Sequence, residues 1–212
     1  MNRPRVLLAD DHRIVTEGLK GLLEPEFELV GIVEDGRALL AAAAKLRPDV
    51  IVADISMPLL NGIDAVRQIK KANDKIKVVF LTMHPDVTYA ISAFEAGASG
   101  YVLKHSAPTE LVTAIRSALN GKTFVTPLLA GEFMQQTKAR STQRDVSTRL
   151  TERQREIVQL LAEGKSAKDI AELLCISSRT VEFHKYRIMK DLGLKSAAEL
   201  VHYAVRHGII TK

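Results

Sequence analysis

The chain has 212 residues, of which 46% are hydrophobic and 26% charged, with 12 Gly, 7 Pro and a formal net charge of +5; this suits two small globular domains and excludes disordered, collagenous and fibrous classes. A single cysteine, Cys175, rules out an internal disulfide and a cysteine-built zinc site, so a reducing, cytoplasmic setting is expected. The longest apolar run, Ala38 to Ala44, is too short to span a membrane, and the run Val6 to Ala9 is too short for a signal peptide.

Short apolar runs recur at Val6–Ala9, Leu29–Val33, Val50–Ala53, Val78–Leu81 and Tyr101–Leu103. Each precedes a segment with helical spacing. The first such segment carries Val15, Leu19, Leu22 and Leu23; the last carries Leu111, Ala114, Ile115, Ala118 and Leu119, with Gly121 as a stop. Strands apolar throughout and separated by helices predict a doubly wound, five-stranded parallel sheet covered on both faces. Ligands of such sheets bind beyond the carboxyl ends of the strands.

Those ends carry Asp10 and Asp11 after the first strand, Asp54 after the third, Thr82 after the fourth and Lys104 after the fifth. Converging carboxylates repel one another unless a cation joins them, and a hard ion such as Mg²⁺ suits oxygen ligands. A carboxylate beside that ion can attack phosphorus to form an aspartyl phosphate, its added charge met by Mg²⁺, Lys104 and Thr82. Singly, each Asp is explained as a helix cap and Lys104 as a solvated loop residue. Capping, however, calls for neither a lysine nor a second adjacent Asp.

Residues 4–122 resemble the receiver domain of bacterial two-component response regulators. The carriers are Ala9-Asp10-Asp11-His12, Asp54-Ile55-Ser56-Met57-Pro58 with Asn61-Gly62, Thr82, and Gly97-Ala98-Ser99-Gly100-Tyr101-Val102-Leu103-Lys104. The resemblance implies a flavodoxin-like fold in which Asp54 is the phosphoacceptor and Asp10 and Asp11 are the acidic metal pair. Ser56 would ligate Mg²⁺ through its backbone carbonyl, Lys104 and Thr82 would hold the phosphoryl group, and Tyr101 would act as the aromatic switch, or else be a half-buried strand residue. Ser56 and His84 stand where the family tunes the speed of dephosphorylation. The Met57 to Gly62 stretch reads as a loop over the site that needs glycine flexibility and a proline-fixed turn.

Residues 1–126 carry 15 Lys+Arg and 15 Asp+Glu, whereas residues 127–212 carry 15 and 10, so all the excess charge lies in the C-terminal part. A basic region favours polyanions. Residues 135–148 contain only Ala139 and Val146 as apolar residues and read as part of a linker over 123–147. Beyond it, Thr151 and Gln154 form a capping-box pattern ahead of the stripe Ile157, Val158, Leu160 and Leu161, with Gly164 as the stop. A second helix starts at Ser166, with Ile170, Ala171, Leu173 and Leu174, and ends near Cys175, which reads as a core residue. Ser177 then caps a third. Two helices joined this tightly suggest a helix-turn-helix. On the third helix, about 100° per residue puts Val181, Ile188 and Leu192 on one side and Arg179, Phe183, Tyr186 and Lys190 on the other. That outer face suits a major groove, with His184, Lys185 and Arg187 at its flanks for backbone phosphates.

Residues 148–212 resemble the four-helix DNA-binding domain of NarL/FixJ-type, or LuxR-type, regulators. The carriers are Leu150 to Ile157, Ala162-Glu163-Gly164-Lys165-Ser166, Ile170-Ala171, and Ser178-Arg179-Thr180-Val181-Glu182-Phe183-His184. Arg179, Thr180, Glu182, Phe183, His184, Lys185, Tyr186, Arg187 and Lys190 are thereby expected at the DNA. Many relatives have Lys where this chain has Glu182, an acid that cannot contact phosphate and can accept from cytosine. The last helix, with Ala197, Leu200, Val201, Ala204 and Val205 on one stripe, serves the core, the family's dimer, or both. The resemblance implies receiver domain 1–122, linker 123–147 and helix-turn-helix domain 148–212. It further implies phosphorylation by a sensor histidine kinase, slow hydrolysis of the phosphoryl group without turnover of external substrates, and promoter DNA bound by a homodimer, with RNA polymerase as a further partner. An aspartate-nucleophile phosphohydrolase is the enzyme alternative, but such enzymes carry an acid two residues after the nucleophile, where this chain has Ser56. A regulator acting without phosphorylation is a third reading.

Overall fold

The structure is a computed structural model describing residues 3–140 and 150–210. The chain forms two compact units that part between residues 140 and 150. Among the described residues, no helix is long and apolar enough to cross a membrane.

The first unit alternates strand and helix: β1 Arg5–Ala9, α1 Arg13–Leu23, β2 Glu28–Val33, α2 Gly36–Leu46, β3 Val50–Ala53, α3 Gly62–Ala72, β4 Lys77–Thr82, α4 Val87–Glu95, β5 Gly100–Leu103, α5 Ala107–Leu119, β6 Phe124–Val125 and α6 Pro127–Arg140. All strand pairs are parallel, in the order β2-β1-β3-β4-β5-β6. One face of the sheet buries Val6, Leu8, Val50, Val52, Val79, Leu81 and Val102 against Leu19 and Leu23 of α1 and Leu111, Ala114, Ile115 and Ala118 of α5. β2 lies at the edge and is only half-buried, with Ile32 exposed, because an edge strand has a neighbour on one side alone.

In this first unit two expectations need correction. The sheet has six strands among the described residues, not five, since Phe124 and Val125 pair with Gly100 and Tyr101. Within the stretch read as a linker, residues 127–140 are helical, and α6 packs on α4 with the Phe94 and Phe133 rings 5.0 Å apart. Two residues make too short a strand signal to stand out, and α6 buries little beyond Leu129. The rest of that stretch, 141–149, lies outside the described residues, as does the expected boundary at 147/148.

The second unit is α-helical: α7 Glu152–Ala162, α8 Ala167–Leu174, α9 Ser178–Asp191 and α10 Ala197–Arg206. Thr151 and Ser166 both complete capping boxes, with Gln154 and Asp169, and the Ser177 and Ser196 side chains accept from Thr180 N–H and Glu199 N–H. Each such cap stabilises its helix by about 1 kcal/mol. Ile157, Val158, Leu160, Ile170, Leu174, Val181, Ile188, Leu200 and Ala204 share one core, whereas Ala197 is exposed. Cys175 is also exposed. It is the C-cap of α8 in the left-handed region at φ 52°, and so belongs to the turn instead of the core.

Candidate functional site

The sheet order places β1 and β3 side by side while their following segments leave in opposite directions, which opens a crevice at their carboxyl ends. Asp10 and Asp11 enter it from β1, Asp54 from β3, Thr82 from β4 and Lys104 from β5. Asp35 and Asp86, by contrast, are helix caps, accepting from Arg37 and Ala38 N–H and from Thr88 N–H. The crevice aspartates have other partners. Lys104 Nζ lies 2.7 Å from Asp10 Oδ2 and 2.7 Å from Asp54 Oδ2, and it joins the two buried carboxylates. Asp54 Oδ1 accepts from Ile55 N–H at 2.6 Å and Ser56 N–H at 3.4 Å. Asp10 Oδ1 accepts His12 N–H at 2.9 Å, and the His12 ring Nδ1 stands 2.8 Å from Asp11 Oδ1.

Burial raises the Asp54 pKa, the Lys104 ammonium pulls it back, and Asp10 pushes it up again; the net shift is upward. Lys104 loses ground to burial but regains more from Asp54 and Asp10, so its ammonium is held charged. One ammonium against three carboxylates leaves an anionic cluster. Ligand atoms of Asp10, Asp11, His12 and Asp54 lie within 4.8 Å of one another, and buried Asp10 Oδ2 meets Lys104 as an ion pair without an aligned hydrogen bond. Oxygen donors with spare capacity fit a hard divalent cation.

Gly62 was expected to supply flexibility, yet its need is steric. A Cβ there would sit 2.0 Å from the Asp54 carbonyl oxygen. Its N–H donates to Ile55 O at 2.9 Å, which draws the loop onto the end of β3.

On the neighbouring strands, Thr82 is buried and its Oγ1 accepts His84 N–H at 3.3 Å. Tyr101 is fully buried, not half-buried, and its hydroxyl donates to the His84 carbonyl at 2.8 Å; burial holds that phenol well above its usual pKa. The His84 ring stacks on Tyr89 and its Nε2 lies 2.7 Å from Ser56 Oγ. Burial lowers the His84 pKa. The ties of His84 to Ser56, Thr82 and Tyr101 were not readable from spacing, because 28 residues separate His84 from Ser56.

In the second unit, Val181 and Ile188 of α9 are buried while Phe183 is 58% and Tyr186 69% exposed. Arg179 and Lys190 share that exposed face, with Glu182 beside it, 3.8 Å from Lys185 Nζ. Arg187 is exposed and pairs with Asp191 at 3.7 Å. His184 and Lys185 are half-buried, and the Thr180 hydroxyl pairs with that of Ser177 at 2.8 Å. The Thr180 hydroxyl is therefore less free to meet a ligand than the exposed side chains of this face.

Residues 6–116 match the family of response regulator receiver domains, and residues 148–204 match the luxR family of bacterial regulatory proteins. The chain is 37% identical over 214 residues to the transcriptional regulatory protein MctR of Rhizobium johnstonii, covering 98% of this chain and 96% of that one. It matches a structure of the RcsB response regulator of Salmonella typhimurium with a TM-score of 0.64 and 29% identity, over 98% of this chain and 99% of that one. A structure of an RcsB–DNA complex matches with a TM-score of 0.60 and 30% identity, over 95% and 98% of the two chains.

Proposed function

Because this chain belongs to the two-component response regulators that join a receiver domain to a LuxR-type DNA-binding domain and regulate transcription, we propose that phosphorylation of Asp54 governs its binding to promoter DNA. The observation that carries this reading is the meeting of Lys104 Nζ with Asp10 and Asp54 at 2.7 Å each, in a crevice that Thr82 also lines. The donor is a phosphohistidine of a sensor kinase. An Asp54 carboxylate oxygen attacks phosphorus, the P–N bond breaks with its electron pair going to the imidazole, and an acyl phosphate remains. Asp10, Asp11, Asp54 and the Ser56 carbonyl would hold Mg²⁺, which would supply positive charge to offset that of the phosphoryl group. The Lys104 ammonium sits beside Asp54 Oδ2, ready to follow the new phosphoryl oxygens. Thr82 keeps its hydroxyl proton to donate, since its oxygen is accepting from His84 N–H. Tyr101 reports the movement of this segment through the His84 carbonyl.

The family is one of transcription regulators and not of metabolic enzymes. Ser56, two residues after Asp54, is bound to His84 and supplies no carboxylic acid for a leaving group, which supports an acyl phosphate that hydrolyses slowly over a hydrolase cycle. On the DNA side, the exposed aromatic and basic face of α9 supports it as the element that enters the major groove, with Arg179, Glu182, Phe183, Tyr186 and Lys190 toward bases and His184, Lys185 and Arg187 toward phosphates. A homodimer, a cytoplasmic setting and contact with RNA polymerase complete the reading. In the decisive experiment, acetyl phosphate with Mg²⁺ labels the wild-type chain on Asp54 and leaves Asp54→Asn unlabelled. Equal labelling of both proteins would overturn the assignment.

A further inference from the structure

β6 ends at Val125, yet β5 still has a main-chain donor to satisfy. The rungs between these strands run from Phe124 N–H to Ser99 O at 3.0 Å and from Thr126 N–H to Tyr101 O at 2.9 Å. In a parallel ladder the next rung would join Leu103 N–H to the Thr126 carbonyl. That carbonyl has turned away and accepts Leu129 N–H at 2.9 Å, opening α6. The Thr126 hydroxyl replaces it, accepting Leu103 N–H at 3.1 Å while donating to Glu110 Oε2 at 2.7 Å. Thr126 is buried, and its side chain therefore binds the end of β5, the first turn of α5 and the start of α6 at one point. Leu103 pairs in register with Thr82 on the opposite side and immediately precedes Lys104.

We propose that the Thr126 hydroxyl is a positioning clamp that couples the charge at Asp54 to α6, an inference that rests on the phosphoacceptor reading above. When Asp54 is phosphorylated, the Lys104 ammonium exchanges Asp54 Oδ2 for a phosphoryl oxygen, and the main chain at 103–104 follows. Leu103 N–H is the donor at that point, and its acceptor is the residue that starts α6. Movement of the lysine is thus delivered to α6, the last helix of the first unit in chain order. Glu110 fixes the hydroxyl rotor by accepting its hydrogen bond, which turns the oxygen lone pairs to Leu103. Coupling of this kind is reciprocal, so loosening the clamp also changes how well the crevice holds a phosphoryl group.

The test uses the full chain with Mg²⁺ and beryllofluoride as the phosphoryl probe, comparing wild type, Thr126→Ser, which keeps the hydroxyl, and Thr126→Val, which keeps the shape. Fluorine NMR of bound beryllofluoride gives affinity, and amide hydrogen exchange over 127–138 reads α6. Wild type and Thr126→Ser are expected to bind alike and to change α6 exchange on binding. Thr126→Val is expected to bind with an affinity altered by about fivefold or more and to lose the α6 response. Glu110→Ala weakens the same response and replaces Thr126→Val if that variant fails to fold. An α6 response that persists in Thr126→Val or is undiminished in Glu110→Ala, or is lost equally in Thr126→Ser, overturns the clamp. Absence of probe binding by the wild type strikes the phosphoacceptor reading itself, and the clamp falls with it.

Discussion

At Asp54 burial and the neighbouring Asp10 outweigh Lys104, so the carboxyl is harder to ionise folded than unfolded. A carboxyl whose folded pKa is raised contributes stability below its unfolded pKa and loses that contribution as pH rises through the folded value. In metal-free protein Asp54→Asn, which removes the charge while Asp10 still holds Lys104, is expected to melt above wild type at pH 7, and the gap should close on acidification toward pH 4. Calorimetry across that range checks it, and a wild type that melts higher at pH 7 contradicts the argument. The carboxylates, Thr82 and Lys104 were legible in the sequence because strand ends are marked by where apolar runs stop. The steric demand at Gly62 and the role of the Thr126 hydroxyl were not, since both depend on a backbone atom brought close by the fold.

Helix α9 shows how far an element can be read from spacing alone. The period of about 3.6 residues placed Val181 and Ile188 inside and Phe183 and Tyr186 outside, as the structure has them. Periodicity does not show depth: His184 and Lys185 are half-buried whereas Arg187, on the same flank, is exposed. Capping residues were equally legible at α7, α8 and α9, because Thr or Ser three residues ahead of a side-chain or main-chain partner acts locally. β6 and α6 were missed, one for its length and the other for its thin apolar face. For α9 the expected outcome is that Lys185→Ala weakens binding to all DNA alike and lowers the salt slope by about 1. Phe183→Ala should instead cost about 1–3 kcal/mol on the preferred sequence and little elsewhere. Titrations on selected and random duplexes at several salt concentrations distinguish the two, and wild-type binding by both variants would remove α9 from the interface.

At the scale of the whole molecule the proposal is that one charge at Asp54 changes affinity for DNA. One helix-turn-helix grips too little DNA for high selectivity, so two chains on two half-sites are expected. A modification moves such an equilibrium only by its unequal interaction with the two states. Phosphorylated full-length chain should therefore sediment at a greater mass and bind a two-half-site duplex more tightly, by about fivefold or more, than the same chain carrying Asp54→Asn. Unchanged mass and unchanged affinity on full phosphorylation would separate DNA binding from the switch.

Cys175 gives that experiment its ruler. It is the chain's single sulfhydryl, it is exposed, and it sits in the left-handed turn between α8 and α9. A nitroxide attached to wild-type protein therefore marks one point per chain, with no other cysteine to remove, next to the helix assigned to the groove. Pulsed electron resonance on the dimer would then report a single separation between labels. Half-sites one turn of duplex apart place the two recognition helices about 34–36 Å from each other, well within the range over which paired spins can be timed.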